Sequence, residues 1–117
     1  MAITKAEFLS RKPKISIFTD KDGTQVNVRS LNELERTEYQ SQFIGADLEI
    51  DKESTKLSKR LLIQMSVVDD SGNLMFSRSE LDLIAELDSA FAERLFDYIR
   101  SVNELDTNDG VKEARKN

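Results

Sequence analysis

The chain has 117 residues and a mass of 13.4 kDa, enough for one ordinary domain, and its 38% hydrophobic share is clustered in Leu, Ile, Val and Phe, which supports a modest core. It contains neither cysteine nor histidine, so thiolate zinc sites, disulfides, cysteine nucleophiles, Ser-His-Asp triads and imidazole acid/base chemistry are excluded. Net charge is -5, from 22 acidic and 17 basic residues, which argues against a dedicated nucleic-acid binder.

The charge is unevenly placed. Residues 1–30 carry six Lys/Arg against three Asp/Glu, and the other 87 residues carry a net -8. A basic arm with Arg11, Lys12 and Lys14 and an acidic body are expected to attract each other between copies, in head-to-tail contacts that form open chains. No apolar run approaches the roughly 20 residues that span a bilayer, and the N-terminus lacks the apolar core of a signal peptide. No membrane role is expected, and a cytoplasmic location is.

Thr4-Lys5-Ala6-Glu7 is a capping box opening a short helix from Lys5 to Ser10, which Pro13 closes. Two alternating segments follow around an Asp-Gly turn. Ile15 and Ile17 share one face of the first, Val26 and Val28 share one face of the second, and together they predict a β-hairpin. Ser30-Leu31-Asn32-Glu33 reads as a second capping box, starting a helix with Leu31, Leu34, Tyr39 and Phe43 that runs to about Ile44, with Gly45 as C-cap. The polar stretch from Ala46 to Thr55 reads as a loop or the start of the next helix. Leu57, Leu61, Met65 and Val68 then recur at helical spacing, widened by Leu62 and Ile63, and predict a buried helix through Val68.

Asp69 to Asn73 breaks that pattern, and Leu74-Met75-Phe76 reads as a short extended run. Ser77-Arg78-Ser79-Glu80 is a third capping box, before a short helix holding Leu81, Ile84 and Leu87. Asp88 caps a last long helix in which Phe91, Leu95, Tyr98 or Ile99, and Val102 form one face, flanked by Ala92 and Phe96. From Asp106 onward the chain is polar and is expected to be disordered. The predicted fold class is α+β, mostly α: an N-terminal short helix and one β-hairpin packed with about four helices, as a single domain over 1–105 with a flexible tail over 106–117.

Motifs that carry chemistry are few. Asp69, Ser71, Asn73 and Glu80 have the outline of a calcium loop, but the place that needs glycine is Leu74, so a turn is the better reading. The four glycines are isolated, which excludes a phosphate loop, and no nucleophile stands with a base, so an enzyme is not expected and no cofactor or metal is implied. Arg94 and Arg100 read as surface ion-pair partners of Glu93 and Asp97. The face of Phe91, Leu95, Tyr98 and Val102 serves either as core or as a groove for a partner helix; the helices outnumber the sheet they can cover, which makes a partner surface the functional expectation.

The order of these pieces resembles the tail assembly chaperones of long-tailed bacteriophages. The hairpin that ends Val26-Asn27-Val28-Arg29-Ser30-Leu31 and continues Glu33-Leu34-Glu35-Arg36-Thr37-Glu38-Tyr39 is similar to that family's front half. Leu61 to Phe76, with its Val-x-Asp-x-x-Gly turn at Val67 to Gly72, and Ala90 to Asp97, followed by Asn103, are similar to its back half. The likeness runs from about residue 4 to 104; the acidic 46–55 segment departs from it. The resemblance implies a non-enzymatic factor that binds the tape measure protein in the host cytoplasm, keeps it soluble, helps the tail-tube protein polymerise around it and is absent from the mature virion. It also implies a longer frameshifted form, for which an A-rich codon run over Arg115-Lys116-Asn117 would serve. The alternative is a structural tail or head-tail connector subunit retained in the virion.

Overall fold

The computed structural model describes residues 2–41 and 52–105. The expected helix end at Ile44, the cap at Gly45, the segment from 46 to 51 and the tail over 106–117 lie outside the described residues. Among those residues the fold is α+β and mostly α, with a three-stranded antiparallel sheet.

Helix α1, Lys5–Leu9, starts as its capping box dictates: the Glu7 amide donates to Thr4 Oγ1 at 3.2 Å, and the Thr4 amide to Glu7 Oε1 at 3.5 Å. Strands β1, Ile15–Thr19, and β2, Gln25–Arg29, form the expected hairpin, with Ser16 opposite Val28 and Phe18 opposite Val26. The turn closes through Asp20 N to Thr24 O at 2.8 Å and Gly23 N to Asp20 O at 3.0 Å, and Gly23 adopts a φ of 90° that a side chain would strain.

That register decides which face is buried. Ser16, Phe18, Val26 and Val28 share the inner face, where Phe18 and Val28 are buried. Ile15 and Ile17 share the outer face and remain 55% and 54% exposed. The isoleucine pair and the valine pair therefore lie on opposite sides of the sheet.

The structure moves two boundaries. Helix α2, Glu33–Ser41, is capped by Asn32, not Ser30: the Glu35 amide donates to Asn32 Oδ1 at 2.8 Å and the Asn32 amide to Glu35 Oε1 at 2.9 Å. Ser30 Oγ instead accepts from the Lys14 amide at 2.9 Å and finishes the hairpin. Helix α3, Lys52–Ser66, stops before Val67, although Val68 fits the helical spacing. Val67–Val68 is a strand, β3, with Val67 opposite Val28 and Val68 opposite Asn27. Two β-branched residues beside an unpaired strand gain more from completing the sheet than from one further half-turn of helix. Leu74 forms a bridge to Val68, in keeping with the extended reading of its segment.

At the third capping box the Ser77 amide donates to Glu80 Oε1 at 2.8 Å and opens a 3-10 turn, Arg78–Glu80, that runs into α4, Leu81–Ile84. Helix α5 is Ser89–Val102. It ends in a Schellman motif: Leu105 N donates to Arg100 O at 2.8 Å and Glu104 N to Ser101 O at 3.2 Å, with Glu104 at a φ of 53°. This reversal returns Leu105 to the core.

The core joins Leu61, Leu62, Ile63 and Met65 of α3 to Leu95 and Ile99 of α5, Ile84 of α4, Tyr39 of α2 and the inner face of the sheet. Two polar groups tie the layers together. Arg29 on β2 binds the Glu35 carboxylate and donates to Met65 O at 3.1 Å. Buried Asn103 accepts from the Leu31 amide at 2.6 Å and donates to Ile99 O at 2.9 Å, while its carbonyl accepts from Arg36 at 2.9 Å.

Candidate interaction surface

The last helix holds the four residues expected to meet a partner. Asp88 caps it, accepting from the Phe91 amide at 3.0 Å, and the helical repeat then places Phe91, Leu95, Tyr98 and Val102 along one side. Leu95 is buried, whereas Phe91, Tyr98 and Val102 are half-buried. Phe91 and Tyr98 pack their rings on Phe18, with centroids 6.3 and 5.3 Å away. Tyr98 Oη donates to Ser16 Oγ at 2.8 Å and lies 3.3 Å from Ile17 O. This face is thus engaged with the hairpin, and only parts of Phe91, Tyr98 and Val102 reach solvent.

Arg94 does not pair with Glu93 as expected. Its guanidinium grips the hairpin turn with two bonds, Nε to Asp20 Oδ1 at 2.6 Å and a terminal nitrogen to Asp20 Oδ2 at 3.0 Å. The Arg94 guanidinium holds the Asp20 carboxyl below the usual carboxylate range, and the same contact raises the arginine. The Thr24 amide lowers Asp22 in the same turn. Burial pushes the Tyr39 hydroxyl up. Glu93 instead binds Lys59 on α3, while Arg100 pairs with Asp97 at 2.8 Å as expected.

Apolar side chains are exposed elsewhere, singly at Leu34, Leu57, Met75 and Leu83 and in two groups on α1 and the sheet, on positions that hydrophobic periodicity does not distinguish from core. In α1, Phe8 is 65% exposed and Leu9 is also exposed, as is Ile3 just before it. On the outer face of the sheet, Ile15 and Ile17 are joined by exposed Leu74, placed opposite Val68 by its bridge. A two-residue Asp-Gly turn would set Ile17 opposite Val28; the loop is instead three residues, Lys21 to Gly23, closed by Asp20 and Thr24, and this shift by one turns the two isoleucines to the face away from Val26 and Val28.

Arg11, Lys12 and Lys14 are exposed, and among the described residues none of the three has an ion-pair partner. They lie between α1 and β1, so a basic stretch separates two groups of exposed apolar side chains. The segment with calcium-loop spacing is a turn: Asp69 Oδ1 accepts from the Ser71 amide at 2.9 Å and the Asn73 amide at 3.0 Å, and Gly72 has a φ of 86°. No helix of the described residues is long and apolar enough to cross a membrane. The arrangement suits apolar contact with another macromolecule, flanked by positive charge.

No family model matches the chain, and no curated protein matches it. Among solved structures, it is similar to the bacteriophage HK97 tail assembly chaperone. The TM-score is 0.60 at 12% sequence identity, over 83% of this chain and 95% of that one. The two share a fold.

Proposed function

We propose that this chain is a non-enzymatic phage tail assembly chaperone. It binds the tape measure protein in the host cytoplasm, keeps it soluble, aids polymerisation of the tail-tube protein around it and leaves before the virion is mature. The likeness in fold to the HK97 tail assembly chaperone carries this reading. Two physical features support it. The chain carries a net charge of -5, which favours solubility of a complex. It also leaves Ile3, Phe8, Leu9, Ile15 and Ile17 exposed, side chains suited to covering the apolar stripe of a helical partner. The parts of Phe91, Tyr98 and Val102 that reach solvent add to that contact, with Leu95 supporting them from the core. Arg11, Lys12 and Lys14 serve self-association, and a longer frameshifted form of the chain takes part beside the short one.

Co-expression with the tape measure protein of the same genome tests the proposal. The tape measure protein becomes soluble and co-purifies with this chain if the proposal holds. A tape measure protein that stays insoluble with both lengths present, together with this chain found in purified virions, would move the function to a connector or tail subunit.

A further inference from the structure

Residues 2–12 stand apart from the rest of the fold: every one is exposed, and α1 buries none of its side chains. Among the described residues, each hydrogen bond from Thr4 to Lys12 stays within that segment. The first tie to the hairpin comes at Lys14, whose amide donates to Ser30 Oγ at 2.9 Å and whose carbonyl accepts from Ser30 N at 3.0 Å. A helix this short is unstable in water without tertiary support, and here local signals are concentrated to hold it. Thr4 and Glu7 supply both halves of a capping box, and Ile3 and Phe8 occupy the two places of a hydrophobic staple. Ser10 Oγ donates to Glu7 O at 2.6 Å. The turn held in this way presents Phe8 and Leu9 to solvent, 65% and 52% exposed.

We infer that residues 3–14 are a recognition arm, and that the segment it grips is a helix whose apolar stripe is bordered by Asp and Glu. Phe8 and Leu9 are the anchors that enter the stripe. Arg11, Lys12 and Lys14 meet the carboxylates along its border. These three exposed cations follow the anchors directly and have no ion-pair partner among the described residues, so a stripe bordered by Lys or Arg is repelled. Holding the turn in helical form before contact lowers the ordering cost of binding. An anionic lipid surface fits the arm less well, because two anchors make a small apolar face and both Glu7 and the acidic remainder of the chain are repelled by it. This role rests on the chaperone reading above, for which it names the kind of segment gripped. Self-association through the same three cations competes with capture.

Hydrogen exchange of the full chain, alone and co-purified with the tape measure protein, tests the arm directly. Amides from Glu7 to Arg11 are expected to exchange rapidly in the free chain and at least roughly tenfold more slowly in the complex. Arg11→Glu, Lys12→Glu and Lys14→Glu together alter no buried side chain and should leave circular dichroism unchanged. They are expected to raise the dissociation constant of the complex roughly tenfold, whereas Arg11→Lys, Lys12→Arg and Lys14→Arg together keep it. Added salt should loosen the natural complex and change the charge-reversed one little. Thr4→Ala, which removes the cap and neither anchor, should weaken capture several-fold. A complex in which the arm amides stay fast, or which charge reversal leaves intact, overturns the inference and leaves the chaperone reading standing. Binding of the free chain to phosphatidylglycerol vesicles, lost on charge reversal while capture persists, assigns the arm to a lipid surface and overturns it too. If no complex forms at all, the chaperone reading falls and this role falls with it.

Discussion

Asn103 is buried where three segments meet, and each of its polar groups is matched. Its side chain bonds the Leu31 amide and Ile99 O, and its carbonyl takes the Arg36 guanidinium. Asn103→Ala leaves the Leu31 amide without its acceptor, and the expected loss is about 2 kcal/mol in a denaturant titration. Arg94 and Asp20 join α5 to the hairpin turn in a similar way, but their contribution depends on pH. Asp20 is held below its ordinary value in the fold, so its stabilisation is fully present above the unfolded value of about 3.9 and is lost as pH falls through the folded value. Melting temperature should therefore drop on acidification below about pH 4, and Asp20→Asn should show a shallower drop than the natural chain. Glu104 sits at a φ of 53° in the Schellman motif, a place that favours glycine. Glu104→Gly is expected to stabilise by about 0.5–1 kcal/mol, read as an upward shift of the denaturation midpoint.

The segment from Ser66 to Leu74 shows how neighbouring elements set boundaries that local pattern does not. Val68 continues the apolar spacing of α3, yet Val67 and Val68 leave the helix to pair with Val28 and Asn27. The signal for that exchange, a Val-Val pair directly before the Asp69–Asn73 turn, is visible only once the hairpin is known to have a free side. The Asp69–Asn73 turn then folds back over the outer face, with Asn27 Nδ2 donating to Asp70 Oδ1 at 3.1 Å. At Gly72 a Cβ would meet Ile15 Cδ1 at 3.4 Å, and the positive φ adds strain, so Gly72→Ala should cost roughly 1 kcal/mol in thermal or chemical unfolding.

Elements with local causes were readable from the sequence: the Thr4 and Asp88 caps, the Asp-Gly hairpin, and the buried stripe of Leu61, Leu62 and Met65. Helix α2 was readable in kind but not in its cap, because Ser30 and Asn32 are equally good caps by type and the hairpin claims Ser30. Arg94 was readable as an ion-pair residue but not in its partner, since Asp20 lies 74 positions away in the chain. The amphipathic face of α5 was clear, while its engagement with Phe18 depended on which side of the hairpin turned inward.

Taken as a whole, the molecule joins a small core to apolar side chains that this core does not cover. The core lies between α3, α5 and the inner sheet face, and the exposed group runs from Ile3, Phe8 and Leu9 through the basic stretch to Ile15 and Ile17. The fold is shared with the HK97 tail assembly chaperone, and the partner binding proposed above is the reading to test at this scale. The most direct measurement is capture of the tape measure protein in co-expression by the natural chain and by a Phe8→Asp, Leu9→Asp variant. These two residues are exposed and outside the core, so the variant should keep its circular dichroism and melting temperature. The account predicts that the natural chain holds the tape measure protein in solution and that the variant, still folded, loses most of that capture. A natural chain that purifies alone while the tape measure protein remains insoluble would contradict it.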